Sequence, residues 1–374
     1  MSDTVDPPAT VQSPLYDLMA RNWKLDAAVH SACIDTSCRT VAFALTDGRV
    51  ALAPVDDPDS AIDRMRVEGD TGRALIRART KPFADLVVTK PLADSPVMLA
   101  PSARTGFVAG SAEGRLTHVT PRGQTVKIML PAAPLSAIAT NGTGDLALAR
   151  PDMVEVHDEN TLERQVAILT SSSATGLAFA RDGKRLAVMQ DGNLILWQAG
   201  ERSMTFRTDG DGGVTFSADG NWLAGSGPDN ALWLLRQCDG EQARIGNFRA
   251  RPASVAFGPN SNMIHAAGAF RIAGWSLQTP PFEDPATGAL RTGKPGMVLI
   301  ERVATHPKRD LVACGMADGA VTVAQPGHPE EMMLRQADGS AITALHWGGS
   351  GTLMVIATDA GDAALLTLPP QLFK

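Results

Sequence analysis

The sequence predicts an all-β fold, an eight-bladed β-propeller of four-stranded antiparallel blades whose ring is closed by an N-terminal strand. Three observations predict it: apolar residues that alternate with a two-residue period, a hairpin spacing that recurs along the chain, and chain ends that complete one another.

The clearest unit runs from Ala174 to Trp197. Leu177 and Phe179, Leu186 and Val188, then Leu194 and Leu196 alternate as strand residues packed against neighbours do. The intervening runs Arg181-Asp182-Gly183-Lys184 and Gln190-Asp191-Gly192-Asn193 hold Asp-Gly pairs, whose glycine accepts the positive φ that a tight reversal needs. The segment is therefore an antiparallel meander.

Phe179 and Leu186, seven residues apart, serve as a ruler for its first hairpin. The same offset recurs at Ile34/Val41, Ala100/Phe107, Ala139/Leu146, Phe216/Leu223, Phe257/Ile264, Thr305/Val312 and Trp347/Met354. Successive rulers after the first unit lie roughly forty residues apart, the period of a propeller blade. Phe179, Phe216, Phe257 and Trp347 are the core residues this frame predicts.

The last unit runs out near Leu368, one strand short. Leu15 to Leu25 precede the first unit and supply the missing strand, with Trp23 sealing the last blade. Such closure removes the open edges at which sheets aggregate. Residues 15–374 thus read as one propeller domain, and residues 1–14, rich in acid and proline, as a disordered tail.

Two surpluses interrupt the period. One falls near 56–85, before Leu86-Val87-Val88 as the fourth strand of the first unit; within it Arg64 to Thr80 suits an extra rim hairpin or a short helix. The other, near 279–296, is rich in proline and glycine and reads as a loop.

DGNLILW ending at Trp197, DNALWLL ending at Leu235 and FRIAGW ending at Trp275 each set a polar turn before an apolar third strand. In this the chain resembles the WD40-repeat β-propellers over about residues 15 to 370. Asp47, Asp191, Asp229 and Asp318 occupy the turns between second and third strands. No Trp-Asp dipeptide is present, and Gly327-His328 falls after a third strand, where the family's Gly-His does not sit. The resemblance implies a rigid, non-catalytic scaffold for protein–protein interaction; an enzyme or small-ligand binder with its site at the channel mouth is the alternative.

Composition narrows the classes further. A chain of 374 residues that is 44% hydrophobic can bury a large core, and a formal charge of −6 argues against a non-specific nucleic-acid binder. No apolar run reaches the roughly 20 residues of a membrane helix, and the start carries no signal-peptide pattern, so a soluble, cytoplasmic protein is expected. Cys33, Cys38, Cys238 and Cys314 have no disulfide-framework spacing. Cys33 and Cys38 are expected to be buried and inert.

No cofactor and no metal site are expected. Gly288 to Lys294 has the spacing of a phosphate-binding loop, yet Pro295 stands where a magnesium-binding hydroxyl is required. Gly142 to Ala147 imitates a dinucleotide fingerprint without a helix to follow. His30 and His346 belong to neighbouring units at different levels of the frame, and are not expected to meet.

Arginine is the residue type whose distribution points to a site. Arg249 and Arg251 precede the first strand of the sixth unit, and Phe270 and Arg271 sit between its second and third strands. In a propeller those two loops share a face, so the four residues form the candidate binding set for a protein or peptide, suited to an acidic segment. Arg49, Arg115 and Arg150 hold corresponding loop positions in the first three units.

Overall fold

Asp-Gly turns and alternating strands build eight radial sheets in a computed structural model that describes residues 15–67 and 74–373. The expected tail at 1–14 lies outside the described residues. Blades 1 to 8 begin with inner strands Val29–Ile34, Met98–Pro101, Ala137–Thr140, Gly176–Phe179, Val214–Phe216, Val255–Phe257, Ile300–Thr305 and Ile342–Trp347. Each inner strand touches the next, and that of blade 8 touches that of blade 1, so the ring is closed. Side chains stitch neighbouring blades together: Thr140 Oγ1 donates to the Pro101 carbonyl at 2.6 Å, Thr305 Oγ1 to Phe257 at 2.6 Å and Trp347 Nε1 to Ala304 at 3.2 Å.

Closure follows the expected route. Ala20–Lys24 forms the outer strand of blade 8, pairing antiparallel with Asp362–Thr367 and placing Trp23 opposite Ala363. Val87–Val88 is the outer strand of blade 1, as its position in the unit predicts. Seven sheets have four strands. Blade 6 has three, and its outer place is taken by two isolated bridges, Trp275 to Ala289 and Ile272 to Thr292. The prolines at 280, 281, 285 and 295 remove donors from that surplus segment, so no continuous ladder forms there.

Six of the eight ruler pairs are in register, Phe179 opposite Leu186 and Trp347 opposite Met354 among them. In blades 2 and 3 the register moves by one: Ala100 faces Val108 and Ala139 faces Ala147. The cause is a tighter turn, closed by Ser102 N–H to Gly106 O and Asn141 N–H to Asp145 O, one residue shorter than the Ala180 to Arg185 closure of blade 4.

The core sits farther from the axis than the rulers imply. Phe257 is buried, whereas Phe179, Phe216 and Trp347 are half-buried. Second and third strands are sandwiched between blades on both faces, while inner strands border the channel. The largest enclosed apolar side chains therefore include Phe43, Phe107, Leu186 and Leu194 on those middle strands.

In the first surplus the hairpin alternative forms within Arg64 to Thr80, and one helical turn precedes it. Ala61–Arg64 makes one helical turn capped by Ser60, whose hydroxyl accepts the Asp63 N–H at 3.2 Å. Met65–Val67 and Ala74–Ile76 then pair as a hairpin whose tip lies outside the described residues. Its flanks grip the closing strand. Arg21 donates to the carbonyls of Pro54, Val55 and Asp56 and faces Asp57, which takes two hydrogen bonds from Arg79 at 2.9 and 2.7 Å. Arg64 donates to the Leu18 carbonyl. Trp23 donates to the Ala84 carbonyl at 3.0 Å and meets Phe83 edge-on at 5.2 Å, so it seals the closing strand against this insertion.

Candidate functional site

Blade 6 brings its two loops together through one glycine. The Gly268 carbonyl accepts the N–H groups of Arg249 and Ala250 at 2.9 and 3.0 Å, joining the loop that enters the blade to the loop between its second and third strands. Gly268 has φ +90°, and a Cβ there would stand 2.5 Å from the Ala250 carbonyl oxygen, so this approach requires glycine. The junction sets the Arg249 guanidinium over the Phe270 ring at 5.7 Å, within cation–π range.

The second surplus packs beside them. Gly296 N–H donates to the Phe270 carbonyl and Gly268 N–H to that of Ile300, both at 2.9 Å. Met297, between these ties, is 92% exposed, and Phe270 is 39% exposed. Met297 escaped the sequence reading; its signal is a large apolar residue directly after a glycine- and proline-rich run.

Of the four candidate residues, the structure brings Arg249 and Phe270 together, while Arg251 and Arg271 bond elsewhere. Arg251 Nη2 donates to Asp211 of blade 5 at 2.6 Å and its Nε to Ser226 Oγ at 3.3 Å. Arg271 Nε donates to the Thr292 carbonyl at 3.1 Å. Among the described residues, neither Arg249 nor Arg271 has a carboxylate within 4.0 Å. Arg249, Arg251, Phe270 and Met297 are exposed and Arg271 is half-buried, with Arg251 held by Asp211.

No family model matches the chain. Over 166 residues it is 25% identical to Minichromosome loss protein 1 of Schizosaccharomyces pombe, a match covering 42% of this chain and 20% of that protein. The chain thus matches about a fifth of that relative's length. Solved structures align along nearly all of it: the C-terminal WD40 domain of Sif2 at TM-score 0.64 and 14% identity, covering 94% of this chain and 99% of that one. The WD40 repeats of RRP9 align at TM-score 0.54 and 15% identity, covering 94% and 98%. The computationally designed Ika8 protein aligns at 0.62 and 16%, covering 92% and 98%. The chain has the WD40-type β-propeller fold.

In this WD40-type ring the other loop arginines serve local structure. Arg49 Nη2 lies 2.6 Å from a carboxylate oxygen of both Asp26 and Asp47, and its hydrogen bonds hold both acids below the usual carboxylate range. Arg150 is buried, 3.2 Å from Glu155 and bonded to the carbonyls of Ala133 and Pro131. Arg115 lies 3.6 Å from Glu113.

The motif lookalikes use their donors internally. Lys294 N–H donates to Glu331 Oε1 at 2.7 Å, which sets a carboxylate where a phosphate-binding loop would hold its anion. Asn141 Oδ1 accepts the N–H groups of Thr143, Gly144 and Asp145 at 2.9 to 3.1 Å. His306 Nδ1 accepts the Lys308 and Arg309 N–H groups at 3.0 Å, and its ring meets Trp347 edge-on at 4.8 Å. Burial drives His265 down to about 4, leaving it neutral in the core. Among the described residues no three His, Cys, Asp or Glu side chains converge as a metal site, and no helix is long and apolar enough to cross a membrane.

One expectation is corrected here. Cys38 is exposed, not buried, whereas burial raises Cys33 to about 12 and Cys314 to about 11. His30 and His346 both line one central cavity, and no hydrogen bond joins them among the described residues.

Proposed function

We propose that the chain is a non-catalytic docking platform for an acidic protein segment, engaged on the face formed by the blade 6 loops. The observation that carries this reading is the Arg249 guanidinium lying over the exposed Phe270 ring, beside Met297 and Arg271, without a carboxylate to neutralise either arginine. Arginine and aromatic residues dominate interface hot spots, because they combine contact area with directional binding. Carboxylates of a partner can accept the planar guanidinium donors in pairs, while its apolar residues cover Phe270 and Met297. Arg251, oriented by Asp211, widens the positive edge toward blade 5. Likeness to WD40 structures supports a scaffold at the level of fold alone.

The cytoplasm is the compartment we propose, since exposed unpaired thiols at Cys38 and Cys238 suit a reducing environment. Affinity purification from the native cell with mass spectrometry tests the functional reading. A stoichiometric protein partner whose binding weakens with added salt is expected. A bound metabolite with no protein would move the function to the channel.

A further inference from the structure

Three neighbouring inner strands carry the same irregularity. In blades 7, 8 and 1 the ladder to the second strand skips one residue, Glu301, Thr343 and His30, each four positions before its ruler residue. The inner strands of blades 2 to 6 pair without a skip. A bulge re-aims side chains and releases backbone groups from the ladder. Here the released carbonyls meet a cation: Arg302 Nε donates to the Thr343 carbonyl and Nη1 to the Glu301 carbonyl, both at 2.8 Å. The guanidinium is thereby fixed across the junction of blades 7 and 8.

Arg302 lines a central cavity of about 580 Å³ together with His30, His346 and Thr343, and no Asp or Glu lines it. Among the described residues, Nη2 of Arg302 has no hydrogen-bond partner, and no carboxylate lies within 4.0 Å of the side chain. Glu301 acts on it from farther away. The Thr343 hydroxyl is buried and likewise unpartnered. Arg302 is half-buried, and that burial pulls it below the ordinary arginine value although Glu301 acts the other way. An anion in the cavity supplies an opposite charge and accepts the free Nη2 donor of Arg302.

We infer that the central cavity binds a small organic anion of the carboxylate or phosphate class, held by Arg302 with His346 and His30 as hydrogen-bonding neighbours. The volume falls in the range of small-molecule sites. None of the blade 6 patch residues lines this cavity, so the inference stands apart from the docking face.

The test is calorimetric titration and thermal unfolding of the full chain with citrate and with inorganic phosphate, against chloride at matched ionic strength. Saturable binding of at least one probe is expected, with a rise in melting temperature by mass action. The probe that binds tighter tells carboxylate from phosphate. Arg302→Gln is expected to weaken binding by about tenfold or more, the scale of a charge-assisted contact, while Arg249→Glu leaves it unchanged. If Arg302→Gln does not fold, Arg302→Lys and His346→Ala take its place with the same expected loss. No saturable binding of either probe, or equal binding by wild type and the folded cavity variants, overturns the inference.

Discussion

Arg21 and Asp57 face each other at 3.6 Å with side chains only 1% and 2% exposed, one on the closing strand and the other at the root of the rim insertion. The pair ties the N-terminal strand of blade 8 to a segment that belongs to blade 1. Ring closure therefore rests on more than the ladder between Ala20–Lys24 and Asp362–Thr367.

Removing one partner leaves a buried charge without its counterpart. Asp57→Asn is expected to destabilise the fold by about 3–5 kcal/mol, measured by chemical denaturation at neutral pH. Arg79, hydrogen-bonded to the same carboxylate, becomes unpaired as well. A loss below about 1 kcal/mol, the range of an exposed ion pair, would contradict a closure clamp.

The same carboxylate sets an acid limit. Burial pushes Asp57 upward, but the Arg79 hydrogen bonds and the Arg21 charge outweigh it and hold the group below the usual aspartate value. Its stabilisation is complete above the unfolded value of about 4 and is lost as pH falls through the lower folded value. The stability gap between wild type and Asp57→Asn should accordingly narrow below about pH 4. A gap that stays constant into stronger acid would show that Asp57 is not the titrating group.

Deleting residues 1–25 removes the outer strand of blade 8 together with Arg21 and Trp23, and deleting 1–12 leaves them in place. The first deletion is expected to lower the melting temperature sharply and expose an edge prone to association, the second to change little. Equal melting temperatures would place the closure elsewhere.

Thiol reactivity separates the four cysteines. The thiolate is the reactive form, so Cys38 and Cys238, which are exposed, should label quickly with a maleimide at pH 8. Cys33 and Cys314, raised by burial to about 12 and 11, should label only on unfolding. Rapid labelling of Cys314 in the folded protein would show that blade 7 opens.

Much of this architecture was legible because a blade repeats and its turns have fixed chemistry. Asp182-Gly183 and the alternation of Leu186 and Val188 are local facts, and so is the shortage of one strand after Leu368. The one-residue slip in blades 2 and 3 was not legible, since it depends on which carbonyl closes the turn. Nothing local in the sequence pairs Arg21 with Asp57, which meet only in the folded ring. At the candidate site, the approach of Arg249 to Phe270 follows from loop positions, whereas the Arg251–Asp211 pair crosses two blades and Met297 arrives through a tie between loops. The bulge at His30, which helps shape the cavity that His30 and His346 both line, is not something periodicity can show.

The docking face is tested most directly by reversing its free charges. Arg249→Glu combined with Arg271→Glu alters residues without a paired carboxylate, so the fold should be retained, and melting temperature checks that. Arg251 is left intact, because a glutamate there would stand against Asp211. Lys184→Glu, on the opposite face in the turn of blade 4, is the control. Quantitative mass spectrometry of partners recovered from the native cell is predicted to show loss in the double variant and full recovery with Lys184→Glu. Full recovery with the double variant, or loss confined to Lys184→Glu, would contradict the account.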